Sequence, residues 1–154
     1  MDIPIKITGT VLIPPCIVND GEAIIVNFDN ISVADVANER NRRKVVVPVK
    51  CSYTKGAPYL KVTGMQLGNN KNVLKTDIDN FDIALYQGDG TATKLLLGDG
   101  KHNGQESIGY LIEMGLSGKE NGTFTFTAIP YIEGGGGLDA RAFTASANIS
   151  ISYF

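Results

Sequence analysis

Both ends of this chain alternate between apolar and polar residues, and this pattern constrains the fold more than any other feature of the sequence. The apolar set at the N-terminus is Ile3, Ile5, Ile7, Gly9 and Val11. The apolar set at the C-terminus is Phe143, Ala145, Ala147, Ile149, Ile151 and Tyr153. A period of two is that of a β-strand with one buried face. Both termini are therefore predicted to be strands, and the first must find a sheet edge in its own domain or in another molecule.

Composition indicates one folded domain of the all-β class. The chain has 154 residues, of which 43% are hydrophobic and 19% charged, enough for one substantial core. Many of its 18 glycines lie in Asp-Gly or Asn-Gly pairs or in glycine-rich clusters, which are typical of turns between short strands. After the N-terminal strand, residues 11–18 are predicted to continue extended. Further strands are predicted at 23–28, 45–51, 59–65, 81–86, 94–97, 123–132 and about 142–154, and residues 73–76 are a shorter candidate. This pattern favours a β-sandwich or barrel.

Charge and hydropathy exclude several partners. The formal net charge of −2 gives no electrostatic attraction for nucleic acid. The basic stretch Arg40, Arg42, Arg43 and Lys44 lacks interleaved aromatic residues, so we interpret it as a solvated loop. No apolar run approaches the ~20 residues of a membrane span, and no membrane insertion is expected.

Cys16 and Cys51 are the only cysteines, and each lies at the edge of a predicted strand. No histidine cluster or second cysteine pair accompanies them, so a metal site is not expected. A disulfide is the favoured interpretation, and two buried free thiols are the alternative. The chain opens Met1-Asp2-Ile3 without a basic region and apolar stretch, so we expect the mature form of a secreted protein.

Residues that could carry out chemistry are few. His102, the only histidine, lies in a glycine-rich loop without an identifiable catalytic partner, and we expect a surface position. The trio Asp77, Asp79 and Asp82 lacks the glycine and terminal glutamate of a calcium loop and is predicted to form a solvated turn. We therefore predict no enzyme activity, no catalytic residue, no metal and no cofactor.

The N-terminal alternation permits two interpretations. It is either the first strand of a closed sandwich or a segment that leaves its own domain and adds a strand to another copy's open groove. Burial of the side chains of Ile3, Ile5 and Ile7 in such a groove would contribute ~1.5 to 3 kcal/mol each. The composition alone does not decide between them.

A resemblance favours the second interpretation. The chain resembles the pilins of the chaperone–usher pathway, and among them the tip adaptors, over nearly its whole length. The resemblance is carried by these features: Gly9-Thr10-Val11, Ile13-Pro14-Pro15-Cys16, Cys51, Lys61-Val62-Thr63-Gly64, Asn72-Val73-Leu74, residues 81–88, Phe124-Thr125-Phe126-Thr127 and the penultimate Tyr153. Two departures are Pro4, which removes a backbone donor so that Ile5 and Ile7 should dominate pairing, and Arg141, where the family often has glycine.

The resemblance implies an incomplete immunoglobulin-like sandwich that lacks its seventh strand. Residues 1–11 would be the donor-strand extension and residues 12–154 the pilin domain. The groove wall that the chaperone contacts would comprise Phe143, Ala145, Ala147, Ile149, Ile151, Tyr153 and Phe154. A periplasmic chaperone would first fill the groove and bind the Phe154 carboxylate, and the outer-membrane usher would then promote its exchange for the next subunit's extension.

Two functions from different classes remain. The first is a minor pilin, a tip adaptor that joins an adhesin to a cell-surface fimbrium after passage through the periplasm. The second is a stand-alone carbohydrate-binding sandwich, for which Tyr53, Tyr59 and Tyr86 offer aromatic rings.

Overall fold

The computed structural model describes residues 1–102, 105–106, 108–133 and 137–154, with side chains described for all of these except residues 101, 102, 105 and 106. The His102 side chain thus lies outside the described residues. The strands are β1 Ile17–Val18, β2 Arg43–Lys50, β3 Pro58–Gly64, β4 Gln66–Leu67, β5 Asn70–Lys75, β6 Phe81–Gln87, β7 Thr93–Lys94, β8 Lys101–His102, β9 Gln105–Glu106, β10 Tyr110–Leu111, β11 Leu116–Ser117, β12 Asn121–Ile132 and β13 Ala147–Tyr153. Short 3₁₀ helices span Asn19–Gly21 and Glu39–Asn41.

The strands form two principal sheets. The larger has the order β1-β2-β12-β6-β5-β4, with β11 beside β12 and β7 beside β6. The smaller has the order β10-β3-β13, and β8 pairs with β9. All pairings are antiparallel. The prediction of an all-β fold is confirmed.

One hydrophobic core joins the two principal sheets. Val47 of β2 and Phe124 of β12 contribute from the larger sheet, and Leu60 of β3 and Ile151 of β13 contribute from the smaller. All four side chains are almost completely buried. The alternation that predicted β12 arises here, because every second residue of a strand faces the core.

Several predicted strand boundaries are wrong. Residues 23–28 join no ladder among the strands that the structure describes, although Ile24, Val26 and Phe28 do point inwards as the alternation predicted. Of the predicted strand 94–97 only Lys94 lies in a strand, and within residues 11–18, which were predicted only to be extended, Ile17 and Val18 pair. The C-terminal strand begins at Ala147 and not near residue 142. Alternation reports which side chains face the core, whereas a ladder also needs a neighbouring backbone.

Candidate functional site

An open groove separates the C-terminal strand from residues 24–28, and it is the candidate functional site. The cavity in it measures about 400 Å³. One wall comprises residues 24–28 and the other residues 143–149. The floor is formed by side chains of the core, namely Val62, Leu74, Ile83, Leu85, Leu95, Phe126 and Ala128. The lining contains no charged residue, so the groove suits an apolar occupant.

The C-terminal wall offers an unpaired backbone edge to the groove. β13 pairs with β3 along one edge, and Phe154 continues that pairing by exchanging hydrogen bonds of 2.9 Å with Ala57. Ile151 points its carbonyl the other way, towards Cys16. Because the amide and carbonyl of one residue share a side and successive residues alternate, those of Ala147 and Ile149 also point into the groove. This edge could pair with a further strand.

The groove is closed at one end by the start of the domain. The Cys16 amide donates to the Ile151 carbonyl at 2.8 Å, so the chain meets β13 there without a gap. Cys16 and Cys51 form a disulfide with their Cα atoms 4.3 Å apart, as predicted, which fixes that contact to the end of β2. The open part of the groove therefore begins beyond Ile151, towards residue 143.

An aromatic cluster stands at the other end. The Phe28 and Phe143 ring centroids lie 6.1 Å apart, and those of Phe81 and Phe143 lie 4.6 Å apart. Phe28 and Phe143 belong to opposite walls, so their contact spans the groove. A second cavity of about 640 Å³ continues past them and is more polar, with Asp29, Asp139 and Arg141 among its lining residues.

Residues that precede β13 are held by Asp77. The Thr144 amide donates to the Asp77 carboxylate at 2.9 Å, and the Asp77 amide donates to the Thr144 carbonyl at 3.3 Å. The Arg141 guanidinium also donates to the Asp77 carboxylate and backbone carbonyl. The Thr144 hydrogen bond is the main cause of the lowered pKa of Asp77, and Arg141 lowers this pKa further. Arg141 thus helps to anchor this wall.

The N-terminal segment, residues 1–15, lies outside both principal sheets. The exposed fractions of Ile3, Ile5 and Ile7 are 80%, 85% and 90%. Gly9 has no neighbour within 4 Å of the position of a Cβ atom, and Val11 is also exposed. None of these residues belongs to a strand among those that the structure describes. The apolar face of this alternating segment is therefore exposed to solvent in the single chain.

The direction of the backbone carries this segment away from its own groove. Cys16 lies opposite Ile151, and further along the chain Phe28 lies against Phe143. From Cys16 to Phe28 the net direction of the chain is therefore opposite to that of the C-terminal wall, although a 3₁₀ helix at Asn19–Gly21 interrupts it. The same direction carries the backbone before Cys16 towards Phe154. Entry into its own groove would require a reversal within residues 12–15, where two consecutive prolines restrict the backbone.

Comparisons with known proteins agree with this geometry. The family model described as "Fimbrial protein" matches residues 5–154. This chain belongs to the fimbrial protein family.

Its relatives in that family include pilus adaptors. The fimbrial adapter PapF and the minor fimbrial protein PrsF, both of Escherichia coli, are each 41% identical to it over 153 residues, which cover 99% of this chain and 88% of the relative. The solved structure of the P pilus adaptor subunit PapF matches with a TM-score of 0.63 at 34% identity, covering 93% of this chain and 98% of that one. The fold is therefore the immunoglobulin-like fold of pilins.

The predicted wall residues of this fimbrial protein divide into two groups. Phe143, Ala145, Ala147 and Ile149 line the groove, and the two alanines are exposed. The side chains of Ile151 and Tyr153 are buried in the core at the closed end, and the Phe154 ring packs edge-on against Tyr59 at 6.0 Å. The first group meets the open cavity, whereas the second supports the end of the strand.

The remaining candidates whose side chains the structure describes do not form a second site. Within the described part of the chain, no group of three or more histidine, cysteine or acidic residues could hold a metal ion. Asp77 and Asp79 lie in an exposed turn as predicted, but Asp82 is buried in β6, which raises its pKa. Tyr59 is buried in the smaller sheet while Tyr86 belongs to the larger, so these two rings form no shared platform for a sugar.

No helix among the described residues has the length and apolar character needed to cross a membrane.

Sequence reasoning missed the opposite wall and its supports. The alternation of Ile24, Val26 and Phe28 was visible, but it predicted an ordinary paired strand. Arg43 and Asp77 carried no signal of their roles, because hydrogen bonds to a distant backbone leave no local pattern in sequence.

Proposed function

We propose that this chain is a minor pilin, an adaptor that joins a tip adhesin to the fibre by donor-strand exchange. Its groove accepts a strand from one neighbour, and residues 1–11 complete the groove of another. Residues 12–154 form the pilin domain. The observation that carries this proposal is the combination of an apolar groove with an unpaired backbone edge and an exposed apolar strand in the same molecule.

The groove supports the acceptor role. An incoming strand can hydrogen-bond to the backbone of Ala147 and Ile149 while alternate side chains cover the apolar floor. Its insertion removes core side chains from contact with water and pairs an open sheet edge. Both effects stabilise the domain, so the strand acts as a missing part of the fold.

The N-terminal segment supports the donor role. Ile3, Ile5 and Ile7 lie on one side and are exposed in the single chain, so their whole apolar surface is available to a partner. Their burial contributes ~1.5 to 3 kcal/mol each before the costs of association are subtracted. Pro4 lacks an amide donor, which leaves Ile5 and Ile7 as the principal pairing residues.

Before assembly, a periplasmic chaperone occupies the groove, and the outer-membrane usher promotes exchange for the neighbour's strand. The family resemblance supports these two partners, as does the position of Phe154 at the end of the groove wall. The final location is the cell-surface fimbrium. The driving force is the tighter fit of the neighbour's strand, and the reaction needs no nucleotide.

Deletion of residues 2–11 tests both roles. With a pilus chaperone co-expressed in the periplasm, the truncated chain is expected to fold, form the disulfide and bind a strand peptide, but to fail to join the subunit that follows it. The full-length chain is the control and should do all four. Failure of the truncated chain to fold even with the chaperone would assign the segment to its own domain and contradict the proposal.

A further inference from the structure

The wall formed by residues 24–28 pairs with none of the described strands, yet one side chain binds two of its carbonyl oxygens. The Arg43 guanidinium donates from Nε to the Asn27 carbonyl at 3.0 Å and from Nη2 to the Phe28 carbonyl at 3.0 Å. Its Nη1 donates to the Arg40 carbonyl at 2.8 Å. One planar group thus holds the end of the wall and the loop before β2 together.

The same guanidinium contacts the Phe28 side chain. Its central carbon lies 5.4 Å from the centroid of the Phe28 ring, within the range of a cation–π interaction. The Asp29 carboxylate lies 3.8 Å from Nη2 and balances the charge. Phe28 in turn contacts Phe143 on the opposite wall. Arg43 therefore fixes both the backbone and the ring that border the far end of the groove.

Arg43 is itself held rigidly by the larger sheet. It is the first residue of β2 and pairs with Ala128 of β12, whose side chain belongs to the groove floor. The ladder between β2 and β12 thus fixes the Arg43 backbone relative to the groove floor. The Arg43 side chain in turn fixes the unpaired wall relative to the same floor. A lysine at this site would place a single ammonium group where the planar guanidinium now donates hydrogen bonds in several directions.

We propose that Arg43 is a positioning residue for strand recognition, which sets residues 27 and 28 at the spacing from Phe143 that an incoming strand requires. It does not touch the strand and acts only through Asn27 and Phe28. The inference rests on the proposed function, since it assigns a residue to the same groove. It predicts that Arg43 affects only a strand long enough to reach the Phe28 end.

Peptide dissociation from Arg43→Gln, Arg43→Lys and wild-type chains tests this. The full-length chain is refolded with a labelled peptide of residues 2–11 and chased with unlabelled peptide, and the experiment is repeated with peptides of residues 2–8 and 5–11. Arg40→Gln is the matched control, because Arg40 lies three residues before Arg43 but its side chain pairs with Asp35. Disulfide formation and the melting temperature of each complex are recorded as folding controls.

We expect Arg43→Gln to speed dissociation of the 2–11 peptide about tenfold, the scale of a lost charge-assisted hydrogen bond. Arg43→Lys should lie between Arg43→Gln and wild type, and Arg40→Gln should match wild type. The direction of the inserted strand decides which truncated peptide still reaches Phe28. The peptide that does not reach it should dissociate at the same rate from Arg43→Gln and wild-type chains, while the other should keep the difference. Equal acceleration of all three peptides would indicate general destabilisation and overturn the inference, as would no acceleration. Wild-type chain that binds none of them would contradict the proposed function itself.

Discussion

The Cys16 amide and the Ile151 carbonyl are joined by a 2.8 Å hydrogen bond, and this contact marks the point where the sandwich stops being closed. On the side towards Phe154 the buried side chains of Ile151 and Tyr153 close the core. On the other side the segments that contain Cys16 and Ile151 separate and leave the groove. The disulfide from Cys16 to Cys51 fixes this branch point to β2.

Loss of the disulfide should destabilise the domain without removing the groove. For the double variant Cys16→Ala, Cys51→Ala we expect the free energy of unfolding to fall by roughly 3 to 4 kcal/mol, the chain-entropy effect of a loop of this length. Denaturant unfolding of the peptide-bound chain measures it. Reduction of the wild type is the control and should give a similar loss, whereas an unchanged midpoint in both would contradict the role given to this bond.

Gly56 should be required for the C-terminus to dock. Its φ is +88°, and an added Cβ atom would overlap the backbone oxygen of Phe154. Gly21 is a matched control, with a φ of +80° and open space around it. Replacement of Gly21 by alanine should cost about 1 to 2 kcal/mol from the backbone conformation alone. Gly56→Ala should cost a further ~1 to 3 kcal/mol from the overlap.

Thermal unfolding of the two glycine variants measures that difference. Equal losses in melting temperature would mean that Phe154 is not held beside Gly56 in solution.

The Asp77 tether should loosen in acid. Its folded-state pKa is lowered, chiefly by the Thr144 hydrogen bond and also by Arg141. A lowered carboxyl pKa means that the stabilisation is present above the normal carboxyl range and is lost as pH falls through the lowered value. The Thr144 amide resonance should therefore titrate below the midpoint of an ordinary aspartate. Asp77→Asn should abolish that titration, and a Thr144 amide that titrates at the ordinary midpoint would refute the tether.

Substitutions in the N-terminal segment should act on assembly and not on the chain's own fold. Ile5→Asp places a charge on the apolar side, and Thr8→Asp places the same charge on the opposite side. We expect Ile5→Asp to weaken binding to the following subunit roughly 10- to 100-fold. Thr8→Asp should leave binding nearly unchanged.

The melting temperature of either variant's own domain should match wild type, because both residues are exposed and unpaired in the single chain. Equal effects of the two substitutions on binding would contradict the predicted strand orientation.

The sequence predicted the long strands well because their alternation reflects burial directly. The strand predicted at 123–132 corresponds to β12, and that predicted at 45–51 corresponds to β2, each within two residues at either end. The disulfide and the all-β class also followed from residue types and turn signals. These features depend on local pattern or on a single pair of cysteines, which sequence displays.

The walls of the groove could not be predicted from the alternation of apolar and polar residues. Residues 24–28 have the period of a strand because their side chains face the core, but their backbone has no neighbour to pair with. Arg43 belongs to a stretch that we predicted to be a solvated loop, yet it binds carbonyl oxygens that are distant in sequence. β13 likewise starts late, at Ala147, because the residues before it contact Asp77 through Thr144, which no periodicity encodes.

Amide hydrogen exchange of the C-terminal strand tests the central claim most directly. The full-length Ile5→Asp chain, in which the chain's own segment is disabled as a donor, is compared with and without the strand peptide of residues 2–11. The amides of Asn148 and Ser150 face β3 and should be protected in both states. Those of Ala147 and Ile149 should exchange fast in the free chain and become protected when the peptide binds. Protection of Ala147 and Ile149 in the free chain, or no change on peptide binding, would contradict an open groove completed by a strand from another molecule.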